Sequence, residues 1–140
     1  MASLGEIPTK EEEEFTTFED VFALALANTD SNRFIADSKN WHKVLYEVCD
    51  KYREQIPQLG VIFFKERPPL PPQTGEFYQL INTLSISGLI SLPNPDYAYI
   101  VMDDDQKKRT RDLETKRLEK YEKQIQDISA IFKKNLAAAG

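Results

Sequence analysis

The segment RPPLPP, residues 67–72, constrains the fold more than any other part of this chain. Its prolines lack a backbone N–H donor, and each proline ring clashes with the preceding turn of a helix. No helix can run through the segment, so the residues before it and after it must form separate elements. We predict that residues 65–73 are a stiff connector, which fixes how the next helix meets the strand before it.

The same segment has a second, functional interpretation. Lys65, Pro68 and Pro71 match the spacing of a basic residue followed by P-x-x-P, a pattern that binds SH3-type grooves as a polyproline II helix. The segment lies between a predicted buried strand and a predicted helix, where a partner domain would have poor access. The connector interpretation is therefore favoured.

Composition points to one small globular domain. The chain has 140 residues, of which 41% are hydrophobic and 29% are charged. Its longest apolar run, VFALALA, is far shorter than the roughly 20 residues that span a bilayer, so we predict no membrane contact. The N-terminus is acidic and lacks the apolar region of a secretory signal. With a single cysteine, Cys49, no internal disulfide can form, and we predict a cytoplasmic protein.

Charge is distributed unevenly along the chain. Residues 1–20 contain seven acids and one base, whereas residues 107–123 contain eight bases and four acids. Because residues 1–14 also lack apolar periodicity, we predict a disordered acidic tail there. The basic segment is either a source of phosphate contacts or a salt-bridged helix surface, and its i,i+4 charge pairs favour the second alternative.

Two helices are predicted before the prolines. Thr17 is suited to capping the first, FEDVFALALAN, with Asp20 three residues further on. Asp37 or Ser38 is suited to capping the second, whose apolar residues follow a helical spacing. These residues are Trp41, Val44, Leu45, Val48 and Tyr52.

A strand and a third helix are predicted next. Pro57 and Gly60 end the second helix, and the apolar run VIFF, residues 61–64, predicts a buried strand. Thr74 is suited to capping the third helix, and Gly88 is suited to the left-handed position that follows a helix.

The last part of the chain predicts a hairpin and a long helix. The β-rich runs at 89–92 and 97–102 flank the turn sequence PNPD. After DDDQKK, a polar helix is predicted over about 112–135, with apolar residues at coiled-coil-like spacing. They are Leu118, Tyr121, Ile125, Ile128 and Phe132. This helix either docks on its own domain or pairs with a second copy, and we expect docking together with homodimer contact.

The segment GEFYQLINTLSISGLISLPNPDYAYIVM resembles the second half of a winged helix-turn-helix domain. In that superfamily the last core helix ends near a Gly-Leu-Ile-like step and leads into the two strands of the wing. The matching residues are Leu84, Gly88, Leu89, Ile90, Tyr99 and Ile100. Over residues 38–102 the layout is also similar to Panacea-type antitoxin domains, although the prolines replace the helix that usually precedes the last one.

This resemblance implies a domain organisation and a candidate DNA interface. Residues 15–106 would form the winged-helix-like domain, 107–136 the C-terminal helix and 137–140 a frayed end. The third helix would present Tyr78, Gln79 and Asn82 to DNA, where amide side chains pair with adenine edges. Phosphate contacts would come from Lys107, Lys108, Arg109 and Arg111.

The same region departs from the DNA-binding pattern. The sequence has no Lys or Arg between Arg67 and Lys107, and the predicted wing tip PNPD is acidic. Sequence-specific binding rests on several neutralised phosphates, so the third helix and the wing are poorly equipped for it.

Catalytic patterns are weak throughout. The single histidine, His42, lies seven residues before Cys49, and two helical turns separate them by roughly 10 Å, too far for a thiolate–imidazole pair. The acids at 103–105 point in different directions along the chain, which favours solvation over Mg²⁺ binding. We predict that the protein is not an enzyme and holds no metal or cofactor.

Together these patterns predict a mostly helical α+β domain with a winged-helix-like core and a long C-terminal helix. The predicted function is binding or regulation through protein contacts. The alternative is a DNA-binding regulator or antitoxin that uses the third helix and the basic segment 107–123.

Overall fold

The computed structural model describes residues 16–92 and 98–138. The predicted tail 1–14 and the predicted turn PNPD lie outside these residues. The α-helices are α1 Phe18–Ala27, α2 Ser38–Tyr52, α3 Glu76–Ile86, α4 Asp104–Glu114 and α5 Glu122–Leu136. The strands are β1 Arg33–Ile35, β2 Lys65–Arg67, β3 Leu70–Gln73 and β4 Tyr99–Val101, and 3-10 helices occupy Pro57–Val61 and Glu119–Tyr121. The predicted mostly helical α+β class is confirmed.

The first two helices begin where the sequence predicts. Thr17 and Asp20 form a reciprocal capping box at α1, in which the Thr17 N–H donates to Asp20 Oδ2 at 2.8 Å. At α2 the cap is Asp37, whose Oδ1 accepts from the Lys39 N–H at 3.3 Å. These side chains satisfy N–H groups that have no partner inside a helix.

The core is built around Trp41, which is fully buried. Its ring lies against Phe77 of α3 and Phe132 of α5, with ring centroids 5.6 and 5.7 Å away. The indole N–H donates to the Ile35 carbonyl at 2.7 Å, so this buried donor is satisfied. Elements from both sides of the prolines therefore share one core.

The main sheet pairs β1 with β4 in antiparallel register, with Phe34 opposite Ile100 and both side chains buried. Single antiparallel bridges flank this pair, from Ser91 to Val101 on one side and from Phe34 to Ala137 on the other. The predicted hairpin is therefore only partly right. Only Ser91 of the run 89–92 pairs with the later run, and the full partner of β4 is β1, which the sequence analysis missed.

The prediction of a buried strand at 61–64 is wrong. Leu59 and Ile62 are buried, whereas Val61 and Phe63 are exposed. Val61 ends the 3-10 helix Pro57–Val61, and residues 62–64 join no strand, although their burial alternates as it would in one.

The proline segment forms a hairpin. No helix lies between 65 and 73, as predicted, but β2 and β3 pair in antiparallel fashion across Pro68 and Pro69, whose shared peptide bond is cis. The paired positions of β3 are its ends, Leu70 and Gln73. Pro71 and Pro72, which lie between these ends, lack N–H donors, so they fit a strand only where the hydrogen-bond ladder is irregular.

The predicted single C-terminal helix is wrong as well. Asp103 and Gln106 form a capping box that starts α4, and the chain then turns between Glu114 and Glu122 before α5 begins. The predicted apolar stripe points into the chain's own core. Leu118, Ile125, Ile128 and Phe132 are at most 1% exposed, and Tyr121 is partly buried. Docking in cis is therefore observed, and these four buried residues are not dimer contacts.

Candidate interaction surface

The basic residues that were predicted to contact phosphates are mostly used inside the molecule. Lys107 is buried, and its Nζ donates to the Thr29 carbonyl at 2.7 Å. Arg111 donates to the Ala27 carbonyl at 2.8 Å. These carbonyls lie at the end of α1, where a helix has acceptors without partners and favours positive charge.

The other two predicted phosphate contacts are exposed but also engaged. Arg109 donates to the Gly88 carbonyl at 3.1 Å, just after α3, where Gly88 has the predicted left-handed conformation with φ of 75°. Lys108 forms an i,i+4 ion pair with Asp112 at 3.1 Å. The basic segment therefore mainly ties α4 to the ends of α1 and α3.

The three predicted base contacts do share the outer face of α3. Tyr78 and Asn82 are exposed, and the Tyr78 hydroxyl lies 3.3 Å from Ser38 Oγ. The Gln79 side-chain amide donates to Glu19 Oε2 at 3.1 Å. Tyr78 and Asn82 also border a small apolar cleft of about 290 Å³ between α3 and β4, which Ile81, Leu92 and Ile100 line. We call it the α3 cleft.

A larger cavity of about 610 Å³ lies between the β2–β3 hairpin and the start of α3. We call it the hairpin groove, and it is lined by Phe63, Lys65, Arg67, Leu70, Thr74 and Tyr78, among others. The apolar members are unusually accessible, since Phe63 is 70%, Tyr78 59% and Leu70 50% exposed. Tyr78 borders both the groove and the α3 cleft, so the two cavities adjoin at this residue.

The charged members of the hairpin groove differ from those of the basic segment. Lys65 and Arg67 make no side-chain hydrogen bond or ion pair with another described residue. Glu76 is the only carboxylate among the described lining residues, and its Oε2 accepts from the Thr74 hydroxyl at 3.1 Å. Two cations and one carboxylate leave the groove with a formal charge of +1.

His42 forms part of the groove and is 1% exposed. Its Nδ1 accepts from the Thr74 N–H at 3.1 Å, and its ring lies 5.2 Å from the ring of Phe77 and 5.9 Å from that of Tyr78. Burial lowers the pKa of His42 below its usual value, so the ring is neutral at pH 7.

The predicted cap of α3 is shifted by one residue. The cap position is Gly75, which offers no side chain, and the helix begins at Glu76. Thr74 still contributes, because its hydroxyl accepts from the Glu76 N–H at 3.3 Å.

Two acids meet where α4 packs on α1: Glu114, which is buried, and Asp20, which is partly buried. Glu114 is 1% exposed, and burial followed by its hydrogen bond to Asp20 raises the pKa of Glu114 to about 8. Arg117 opposes this shift through an ion pair with Glu114 at 2.6 Å.

Other reactive groups offer no catalytic arrangement in the described residues. Burial raises the pKa of the Cys49 thiol to about 11, so it is protonated and unreactive at neutral pH. The described ranges contain no cluster of three or more His, Cys, Asp or Glu side chains placed to hold a metal ion. Asp103 is a helix cap, and the acids that follow it lie in the first turn of α4.

Of the hairpin groove, the sequence analysis identified only Tyr78 as a contact residue, and it assigned Tyr78 to DNA. It assigned Phe63 to a buried strand and treated Lys65 only as part of an SH3 pattern. The one available signal was the pair of bases that brackets the glutamate in KER, directly before the prolines.

In a comparison with known proteins, no family model, curated protein or solved structure matches this chain. None of the helices within 16–92 and 98–138 is long and apolar enough to cross a membrane.

Proposed function

We propose that the protein is a non-enzymatic, winged-helix-like binding module whose partner is another protein, bound as an extended segment in the hairpin groove. The observation that carries this proposal is the clustering of three exposed apolar side chains, Phe63, Leu70 and Tyr78, around one cavity. Contiguous exposed apolar surface rimmed by polar groups is typical of a protein contact site.

The hairpin offers backbone groups to the same partner. β2 pairs with β3 on one side, and no other described strand covers its second edge. All three residues of β2 are exposed. An extended segment that adds to a free strand edge gains main-chain hydrogen bonds, while neighbouring pockets select its side chains.

The order of elements supports the winged-helix part of the proposal. α1, β1, α2, α3 and a bridge at Ser91 precede β4, which lies between β1 and Ser91; a 3-10 helix and the β2–β3 hairpin are inserted between α2 and α3. In this order α3 takes the place of the recognition helix. The buried free thiol of Cys49 is compatible with the cytoplasmic location that we propose for the module.

DNA binding has less support as a function. No Lys or Arg lies on α3, and Lys107, Arg109 and Arg111 donate to backbone carbonyls. A protein that lacks free cations beside its reading helix gains little from the release of phosphate counterions.

Selection from a random peptide library tests the protein-binding proposal. We expect the full chain to enrich peptides whose affinity falls at least about tenfold for Leu70→Ser. Leu113→Ser is the matched control, since Leu113 is 53% exposed on α4 and outside the groove, and it should bind as the wild type does. Equal binding by both variants, or no enrichment, would overturn the proposal.

Titration with a short DNA duplex tests the alternative. We expect no binding tighter than about micromolar at moderate salt. Tighter binding that weakens steeply with salt, and that is lost when Lys108 and Arg109 are both changed to Glu, would replace the protein-binding proposal with DNA binding.

A further inference from the structure

His42, which lines the hairpin groove, has a hydrogen-bond donor without an acceptor. Because His42 Nδ1 accepts from the Thr74 N–H, the proton of the neutral ring lies on Nε2. This Nε2 is buried and has no hydrogen-bond partner in the described part of the chain. Buried polar groups are nearly always paired, so an orphan donor in a cavity wall points to an absent acceptor.

The start of α3 adds a second attraction for an acceptor, and specifically for an anion. α3 has 11 residues, and the N–H groups of its first turn are already bonded: the Glu76 N–H donates to the Thr74 hydroxyl and the Phe77 N–H to the Thr74 carbonyl. The helix start therefore attracts an anion through its partial charge and not through free donors. A Cβ atom added at Gly75 would meet nothing within 4 Å, so the space beside this helix end is open. The N-terminal end of a helix carries partial positive charge and binds carboxylate or phosphate groups.

The charge of the groove indicates how many negative charges a bound anion should carry. Lys65 and Arg67 favour an acceptor with negative charge, whereas Glu76 on the same wall repels one with several charges. A net charge of +1 matches one carboxylate rather than a run of acids or a phosphate dianion.

We infer that this part of the hairpin groove binds the C-terminal carboxylate of a partner protein, with His42 Nε2–H as its neutral donor and the Lys65 and Arg67 side chains as its charged donors, and with the start of α3 contributing partial positive charge. A chain terminus combines one negative charge with an adjacent side chain, which would pack against Phe63 and Leu70. The inference rests on the proposed function, because the same groove receives the rest of the partner segment.

The single histidine of this chain makes the inference directly measurable. The full chain is titrated with the acetylated peptide Gly-Gly-Leu-Phe, once as the free acid and once as the C-terminal amide, while NMR follows the His42 ring nitrogens and the backbone amides. We expect the free acid to shift the Nε2 signal and to bind at least about tenfold more tightly than the amide, the scale of a hydrogen bond to a charged group.

Two glycine variants form a matched pair for this measurement. Gly75 has helical backbone angles (φ −67°, ψ −22°), so Gly75→Leu fits without strain and fills the space beside the helix start. Gly60 also has open space around its Cβ position but is not part of the groove. We expect Gly75→Leu to lose the binding of the free acid and Gly60→Leu to keep it, with both variants folded.

Removal of the neutral donor completes the test. His42→Phe keeps an aromatic ring between Phe77 and Tyr78 but removes the Nε2–H, so the preference for the free acid over the amide should fall. If this variant does not fold, Gly75→Leu still decides the question. Equal binding of acid and amide in the groove would overturn the carboxylate inference and leave the proposed function intact. The absence of any groove shift with either peptide would overturn the inference, while the library selection judges the proposed function separately.

Discussion

Two regions of this molecule carry lysine and arginine, and they use these residues in opposite ways. In α4, Lys107 and Arg111 donate to carbonyls at the end of α1 and so hold two helices together. In β2, Lys65 and Arg67 line the groove beside exposed apolar residues, and their side chains form no hydrogen bond or ion pair with another described residue. The denser basic cluster of the sequence is thus structural, while the sparse one borders the candidate site.

The contrast shows that the acceptors around a cation, rather than the number of neighbouring cations, decide whether its side chain is available to a ligand. Helix ends offer carbonyl groups that lack partners, and a long flexible side chain from a neighbouring helix can satisfy them. A cation on a free strand edge has no such acceptor nearby, so it stays available to a ligand.

The largest expected difference between the two regions concerns their aromatic residues. Phe132→Ala in α5 should lower the free energy of unfolding by about 3 to 5 kcal/mol, because the ring is fully buried against Trp41 and Phe22. Phe63→Ala in the groove should change it by less than about 0.5 kcal/mol. Urea unfolding measures both, and similar losses for the two variants would remove the contrast.

Substitution of Lys107 should also reduce stability more than substitution of Lys65, but the difference should be smaller than that between the two phenylalanines. Lys107→Met should cost about 2 kcal/mol of unfolding free energy, because the Thr29 carbonyl loses a buried, charged donor. Lys65→Met keeps a similar side-chain length at an exposed position and should leave stability unchanged. A stable Lys107→Met variant would show that the contact with α1 contributes little.

The pH dependence of stability should originate in the helical region. Glu114 has a pKa of about 8 in the folded chain and an ordinary value near 4.5 when unfolded, so its contribution is complete below 4.5 and is lost as the pH rises through 8. Between pH 7 and 8.5, where the unfolded His42 is largely neutral, stability should fall by about 1 kcal/mol. Thermal or urea unfolding of Glu114→Gln should show no such fall over this range. A stability that rises with pH in the wild type would contradict the assignment.

The smallest expected effect concerns Lys108, the exposed member of the basic segment. Its ion pair with Asp112 is solvated, and such pairs contribute little. Lys108→Ala should therefore unfold at the same urea concentration as the wild type, within error. A clear loss would mean that the surface of α4 contributes to stability as its buried face does.

Local signals predicted much of the helical framework correctly. Thr17 and Asp37 cap their helices because a side-chain oxygen reaches a backbone N–H within three residues. The stripe from Trp41 to Tyr52 faces the core because a helix brings these residues to one side. One failure came where an apolar pattern continues from a turn into a helix: the stripe starts at Leu118, in the turn after α4, and continues through α5.

The candidate site was predictable only in part. Tyr78 was identified on the outer face of α3, but for contact with DNA bases. Phe63 was assigned to a strand because a four-residue apolar run does not distinguish a strand from the irregular segment that follows a 3-10 helix. Lys65 and Leu70 become neighbours of α3 only when the hairpin closes, and no local pattern reports that contact.

By itself the sequence determined the mostly helical class, the capped starts of α1 and α2, the left-handed Gly88 and the absence of a helix through the prolines. Each of these follows from backbone sterics or from hydrogen bonds between residues a few positions apart. Tertiary structure alone decided the pairing of β1 with β4, the carbonyl partner of Lys107 and the exposure of the hairpin groove. Lys107 and Thr29 lie 78 positions apart. Contacts at that separation depend on how complete elements pack, and the shared core around Trp41 selects that packing.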